Sequence, residues 1–185
     1  MLVDLSLPLK AAPEGASERE SGLFKLGHYG THLDRLLGTA IPFYYFKSRG
    51  LLFDVSRIST ERPVERLDIP LEMIQPGDFV LFHTGAMARH GYGGKAYMAE
   101  YIEFSWDLLH AILDRRIRFI GLDARGLRRN EEHRQADIAC EEAGAFVIEN
   151  LMNTGQLSPQ VPFTMYTAWF DTGGTGIPCR VTAEF

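Results

Sequence analysis

Ser105-Trp106-Asp107-Leu108-Leu109-His110-Ala111-Ile112-Leu113-Asp114-Arg115-Arg116-Ile117-Arg118-Phe119-Ile120-Gly121-Leu122-Asp123 carries two periodicities back to back. Ser105 is a fitting helix N-cap, and Asp107 in the first turn complements the positive end of the helix dipole. Leu109, Ile112 and Leu113 recur at helical spacing as a buried stripe, while Arg115 and Arg116 favour the C-terminal end. Ile117 to Leu122 then reads as an apolar strand with Asp123 at its carboxyl end. Helix, tight link and buried strand make half of a right-handed crossover unit, which points to an α/β fold with parallel strands.

Working outward, a second helix fits Glu131 to Ala143, capped by Asn130 and acidic in its first turn. Ala136, Ala139, Cys140 and Ala143 give it a narrow stripe of small residues, and Gly144 ends it. His133 and Asp137 fall one turn apart on the same flank. Ala145-Phe146-Val147-Ile148 is a buried strand ending at Glu149, an acid that burial would oblige to find a partner. Upstream, Gln75-Pro76-Gly77-Asp78 is a turn that launches the strand Phe79-Val80-Leu81-Phe82, which ends at His83-Thr84-Gly85. Residues 85 to 98, with four glycines, His90 and two tyrosines, read as a loop. Leu51 to Val55 is a short buried strand, and Leu2 to Leu7 alternates as a strand with Val3, Leu5 and Leu7 on one face. At the other end, Phe163 to Phe170 and Ile177 to Phe185 flank Gly173-Gly174-Thr175-Gly176 as a hairpin. Ala11 to Ser21 is small, charged and proline-containing, as an exposed loop is. The consecutive aromatics Phe43-Tyr44-Tyr45-Phe46 are expected as core or subunit-contact filler, or else as one wall of a ligand pocket.

The 185 residues suit one domain, 1–185, with an ordinary globular composition of 45% hydrophobic and 23% charged residues. A net charge of −5 from 19 basic and 24 acidic residues, with no clustered basic run, argues against a nucleic-acid partner. The two cysteines, Cys140 and Cys179, stand outside any C-x-x-C spacing, so no disulfide is expected and a reducing compartment is the simplest home. No signal-peptide pattern and no apolar run near the ~18 residues of a membrane helix appears. A cytoplasmic protein that neither spans nor binds a membrane is expected.

The densest chemistry lies in His28-Tyr29-Gly30-Thr31-His32-Leu33-Asp34. Two imidazoles and a carboxylate within seven residues offer the nitrogen and oxygen donors that a divalent metal takes. Gly30 disfavours a continuous helix, so the motif is expected on a turn and strand end where these side chains can converge. Histidines at this spacing also occur as ordinary hydrogen-bonding surface groups, and both readings stand on the residues alone.

The ordered set of motifs narrows this. Asp4-Leu5-Ser6, the His28 to Asp34 stretch, Gly77-Asp78-Phe79-Val80-Leu81 with Thr84-Gly85, Gly121-Leu122-Asp123, Glu149-Asn150-Leu151 and Ile177-Pro178-Cys179-Arg180-Val181 resemble, in order, the kynurenine formamidase family, also called the putative cyclase family. The resemblance implies a swivelling β/β/α fold with a sheet-rich core and flanking helices, and a homodimer or higher homo-oligomer. It also implies a metal-dependent hydrolase of amides or lactams, with N-formylkynurenine, from tryptophan catabolism, as the best-known substrate. His28, His32 and Asp34 would be metal ligands, Glu149 a further ligand, and Asp34 would be placed to bridge two ions. Zinc is the first expectation.

Two positions depart from that pattern. The family places a proton-transfer histidine four residues after the aspartate, where this chain has Gly38. It places a ligand histidine twelve residues before the glutamate, where this chain has Asp137. A carboxylate in place of a neutral imidazole hardens the site and shifts preference toward manganese or magnesium. His133 is a candidate stand-in for the lost imidazole, and the His133–Asp137 pair could equally be a simple helix-surface contact. The candidate ligands are therefore His28, His32, Asp34, Asp137 and Glu149, and the candidate proton carriers Glu149 and His133, with His83 and His90 as further imidazoles. Three functions follow in order: hydrolysis of a C–N bond in a small amide, non-catalytic binding of a small molecule, and a metal-dependent lyase or cyclase reaction.

Overall fold

Three of the apolar runs lie side by side as parallel strands: β4 (Phe79–His83), β5 (Phe119–Leu122) and β6 (Phe146–Glu149). The structure, a computed structural model, describes residues 1–8, 22, 25–100 and 102–185. The expected loop from Ala11 to Ser21 lies outside the described residues. The remaining strands are β1 (Leu2–Asp4), β2 (His32–Asp34), β3 (Lys47–Asp54), β7 (Phe163–Trp169) and β8 (Gly176–Glu184). Their order is β1-β8-β2-β6-β5-β4-β3-β7, and β7 pairs again with β8. Seven strands thus close on themselves as a barrel-like sheet, with β1 alongside β8. This is the mixed α/β, sheet-rich fold expected from the sequence.

The crossover reading holds. Ser105 caps α3 (Trp106–Leu113) by accepting from the Leu108 amide at 3.2 Å, and β5 follows parallel to β4. Helix α4 (Asn130–Glu142) then leads into β6, parallel to β5. Strand alternation divides the apolar residues into two cores. Leu33, Leu52, Phe79, Leu81, Phe119, Phe146 and Ile148 fill the inside of the sheet, with Val3, Met165 and Val181. Leu51, Phe53, Val80, Phe82, Ile120, Leu122 and Val147 face outward onto Leu108, Leu109 and Ile112 of α3 and Ala136 and Cys140 of α4. His32 and Asp34 flank the inward Leu33, and Glu149 follows the inward Ile148, so all three point to the outer face. There they meet α4.

Four sequence expectations need correction. Residues 85–98 are not a plain loop: they hold two short helices, α1 (Ala86–His90) and α2 (Lys95–Ala99). The glycines that suggested a loop serve as helix ends, with Gly85 and Gly91 at positive φ on either side of α1. The N-cap of α4 is Arg129 rather than Asn130, with no side-chain cap. The buried face of α4 is Ala136, Asp137, Cys140 and Glu141, turned from the all-small stripe so that two acids go inside. Finally, Phe43–Phe46 is a 3-10 turn with no buried member; Phe43 is 86% and Tyr44 65% exposed. Only Tyr45 packs inward, on Phe119 and Phe146, at the end of the strands away from Asp123 and Glu149. The aromatic run therefore neither fills the core nor lines the His28–Asp34 stretch.

Cys140 and Cys179 are free thiols. Among the described residues no helix is long and apolar enough to cross a membrane.

Candidate metal centre

Gly30, at φ 69°, turns the chain so that His28 reaches across to the strand residues His32 and Asp34. The donor atoms of these three side chains all lie within 4.8 Å of one another. His28 Nδ1 is 3.0 Å from Asp34 Oδ1, and His32 Nε2 is 3.6 Å from the same oxygen. His32 Nδ1 lies 2.9 Å from the Gly30 carbonyl, which can only accept, so Nδ1 carries a hydrogen and Nε2 is the nitrogen turned toward Asp34 and Glu149. The Asn150 amide donates to the same carbonyl at 3.0 Å, and the Tyr97 hydroxyl donates to Asn150 Oδ1. The Gly30 amide donates to the Tyr92 hydroxyl at 2.8 Å. The turn that carries these candidate ligands is thus held from several sides, as metal-site histidines usually are.

Strand β6 brings Glu149 directly opposite His32 in register, with His32 Nε2 at 3.8 Å from Glu149 Oε2. Helix α4 supplies the other half. His133 Nε2 stands 3.3 Å from Asp137 Oδ2 and 3.3 Å from Glu149 Oε1. The candidate ligands and the candidate proton carriers therefore belong to one cluster, and the His133–Asp137 pair is more than a surface contact. Gly126, at φ 67°, makes room for the His133 ring: a Cβ there would lie 2.2 Å from His133 Nδ1. Gly126→Ala is expected to cost about 1–2 kcal/mol from the left-handed backbone alone. It should also push His133 off Glu149, so denaturation of the metal-free variant should show a loss of at least that size.

Three buried carboxylates, Asp34, Asp137 and Glu149, converge here, and the ion pairs they make are with histidines. Asp34 Oδ2, Asp137 Oδ1 and Glu149 Oε1 are buried without a hydrogen bond. Native proteins rarely leave buried acid oxygens unsatisfied, and divalent cations are the partners that buried carboxylates of this kind take. Imidazole nitrogens with carboxylate oxygens are a donor set that zinc and manganese both accept. The residues fit a metal.

The charges shift accordingly. Burial opposes a charged His32, but Asp34 and Glu149 overcome it and raise its pKa from 6.5 to about 9. Burial likewise works against ionised Asp34, yet His32 and His28 hold it well below the usual carboxylate range. Burial, then the charges of Asp34 and Glu149, push Asp137 well above that range. Burial and Asp34 raise Glu149 against the pull of His133 and His32. Groups raised on folding stabilise below their unfolded pKa and lose that contribution as pH rises through the folded value. Metal-free protein should therefore lose melting temperature steadily as pH rises from 6.5 to about 9, where His32 gives up its proton. A cation competes with those protons, so the stabilisation it confers should grow over the same interval. Melting curves with chelator and with added zinc or manganese measure both trends.

The other imidazoles are engaged elsewhere. His83 Nδ1 is 2.7 Å from Thr154 Oγ1 and 3.1 Å from Asp123, and His90 Nε2 is 2.8 Å from Glu100. Gly38 lies in an exposed turn at φ 75° with open space around it. Its neighbours are pinned by the buried Glu141 carboxylate, which accepts from the Leu37 and Thr39 amides at 2.8 and 2.7 Å. A cavity of about 390 Å³ lies away from the cluster, where Arg49 pairs with Asp78 and Arg118 donates to backbone carbonyls; its charges tie the fold together. Sequence reasoning missed Gly126, Tyr92, Tyr97 and Glu141. The two tyrosines carried the only signal, since they fall in or beside the glycine-rich connection from Gly91 to Gly94.

A family model described as Putative cyclase matches residues 3–127, more than half of the chain. A search among curated proteins found no match. Among solved structures, one described as a potential metal-dependent hydrolase with cyclase activity is 25% identical, with 99% of this chain and 96% of that chain covered and a TM-score of 0.75. A structure of a predicted metal-dependent hydrolase from Bacillus stearothermophilus is 22% identical over 99% and 97% of the two chains, with a TM-score of 0.73. Isatin hydrolase A from Labrenzia aggregata is 18% identical over 99% and 93%, with a TM-score of 0.75.

Proposed function

Because this chain belongs to the cyclase family, we propose that it is a metal-dependent hydrolase that opens a C–N bond in a small linear or cyclic amide. One observation carries the reading. Three buried carboxylates and three histidines converge, and an oxygen of each carboxylate lacks a hydrogen bond.

His28, His32 and Asp34 would hold one divalent cation, and Asp137 and Glu149 would extend the site, with Asp34 between the two sets. Zinc is the first choice, with manganese or magnesium favoured by the carboxylate at position 137. When bound, such an ion polarises a carbonyl and lowers the pKa of water toward ~7. The chain's own groups do the rest. His32, fixed by Gly30, and His28 orient the donor side of the site. Glu149 Oε1 is placed to take a proton, and the partly exposed His133 Nε2, 3.3 Å away, is placed to relay it to a departing amine. This pair would serve in place of the histidine that position 38 lacks. The open space around Gly38 and the engagement of His83 and His90 support that assignment.

N-formylkynurenine and isatin are the substrates to try, the first from the family resemblance and the second from the named activity of similar structures. Metal analysis of protein purified without chelator should find a divalent ion, and hydrolysis of an amide should depend on it. No metal uptake and no hydrolysis with zinc, manganese or magnesium would overturn the proposal. The absent histidine at 38 also supports a second reading, a protein that binds such a molecule without turning it over. A compound that raises the melting temperature yet is recovered unchanged would favour it. A homodimer or higher homo-oligomer of one domain, in the cytoplasm, completes the proposal.

A further inference from the structure

The glycine-rich turn Gly173-Gly174-Thr175-Gly176 does more than join β7 to β8. Its far side lies backbone to backbone against the segment that carries His28. The Gly176 amide donates to the Leu26 carbonyl at 2.9 Å. A Cβ on Gly176 would stand 2.7 Å from the His28 amide nitrogen, and one on Gly174 2.8 Å from the Leu26 carbonyl oxygen. A Cβ on Gly27, which sits at φ 86°, would collide with the Gly176 carbonyl. These glycines are what permits the approach. The hairpin is anchored a second time: the Thr175 carbonyl accepts from the Arg35 amide at 2.8 Å, and the nearly buried Arg35 guanidinium forks onto Asp171 at 2.7 and 2.9 Å.

This contact places the Thr175 hydroxyl 2.8 Å from His28 Nε2, while Nδ1 of the same ring faces Asp34 at 3.0 Å. We propose that Thr175 is a positioning residue of the metal centre, holding the His28 ring so that Nδ1 is presented beside Asp34. A hydroxyl suits this task because it can donate to a bare ring nitrogen and accept from a protonated one, so the ring keeps one orientation in either form. The counterpart is His32, whose outer nitrogen is held by the Gly30 carbonyl. The two histidines are held through opposite nitrogens, which aims both free ones at Asp34 Oδ1. The inference rests on the metal reading above and adds to it a residue from the far end of the chain.

Cobalt(II), added to metal-free protein against a chromophoric competing chelator, tests it. Thr175→Val should lower cobalt affinity by about 10–100-fold, as loss of an outer partner of a ligand histidine does. Thr175→Ser, which keeps the hydroxyl, should restore most of it. In a His28→Ala background Thr175→Val should change nothing further, because its only route to the ion is that ring. Unchanged affinity in Thr175→Val, or an equal loss in the His28→Ala background, overturns the proposal. Should the valine variant fail to fold, Thr175→Ala carries the same comparison. Nitrogen-15 spectra of the imidazoles in metal-free protein decide the matter without any ion. The His28 Nε2 resonance should move in the valine variant and keep its place in the serine one, and a resonance that stays fixed in both overturns the assignment. A wild-type protein that takes up no cobalt would refute the metal reading itself, while the spectra would still decide the role of Thr175.

Discussion

Asparagine at position 34 is expected to leave the protein folded and to lower its divalent-cation affinity by ~100-fold or more, beyond the loss seen when only an outer partner is removed. Asp34 Oδ1 is the one atom that both His28 and His32 face, at 3.0 and 3.6 Å, and its Oδ2 is buried with no hydrogen bond. Asparagine keeps the shape but removes the charge and turns one of these oxygens into an amide NH2, which donates hydrogen bonds and offers a cation no lone pair. In metal-free protein the effect should change sign with pH. His32, raised to about 9 partly by Asp34, loses its counter-charge, so Asp34→Asn should melt lower near pH 6. Well above that value His32 is neutral, and relief of repulsion among Asp34, Asp137 and Glu149 should bring the variant level with wild type or above it. Competition titration with zinc, together with melting curves at both pH values, reads all of this. A variant that binds zinc within a few-fold of wild type would remove Asp34 from the ligand set.

The second large effect concerns a residue outside that set. Asp123→Ala is expected to destabilise the protein by about 3–5 kcal/mol, the usual cost of removing one partner from a buried pair. Asp123 is 1% exposed at the end of β5 and gathers four donors. Its Oδ1 accepts from the Thr84 amide and hydroxyl at 2.6 and 2.7 Å, and its Oδ2 from the Gly85 amide and the Thr154 hydroxyl, both at 3.0 Å. Although burial works against its charge, His83 and Thr84 hold its pKa below the usual carboxylate range. Alanine would strand these donors and break the tie between the ends of β4 and β5 and the turn at Thr154. At roughly 2–4 °C per kcal/mol for a chain of this size, the melting temperature should fall by ~10 °C. Asparagine should fall between, since its oxygen can still serve one side of the cluster. A loss under about 1 kcal/mol for alanine would mean that these groups find other partners.

What could be read in advance followed from short-range rules. The crossover of α3 into β5 was legible because Ser105, the leucine stripe and the run to Leu122 each obey a local periodicity. The burial of Glu149 was legible because four apolar residues precede it. The convergence of Asp137 and Glu149 with the His28–Asp34 stretch came through the family resemblance, as no local rule joins them. The face of α4 was misjudged because the small-residue stripe looked like the natural seam, whereas Asp137 and Glu141 go inside to meet His133 and the amides of Leu37 and Thr39. The loop around His90 was misjudged because glycines that cap short helices look, in sequence, like glycines that prevent them. Thr175 gave no signal at all; its part depends on a contact between backbone segments that only the closed sheet brings together.

The short strand β2 is paired on one side with β6, His32 opposite Glu149, and on the other with β8, His32 opposite Pro178. Neither neighbour is near it in the chain, so β2 gains nothing from early, local folding and must wait for partners that arrive by slow loop closure. An ion that needs β2 in place is then expected to act late in folding. Added zinc should leave the refolding rate of this protein nearly unchanged and slow its unfolding in proportion to the stability it confers, so that the metal works as a latch on a finished barrel and not as a seed for it.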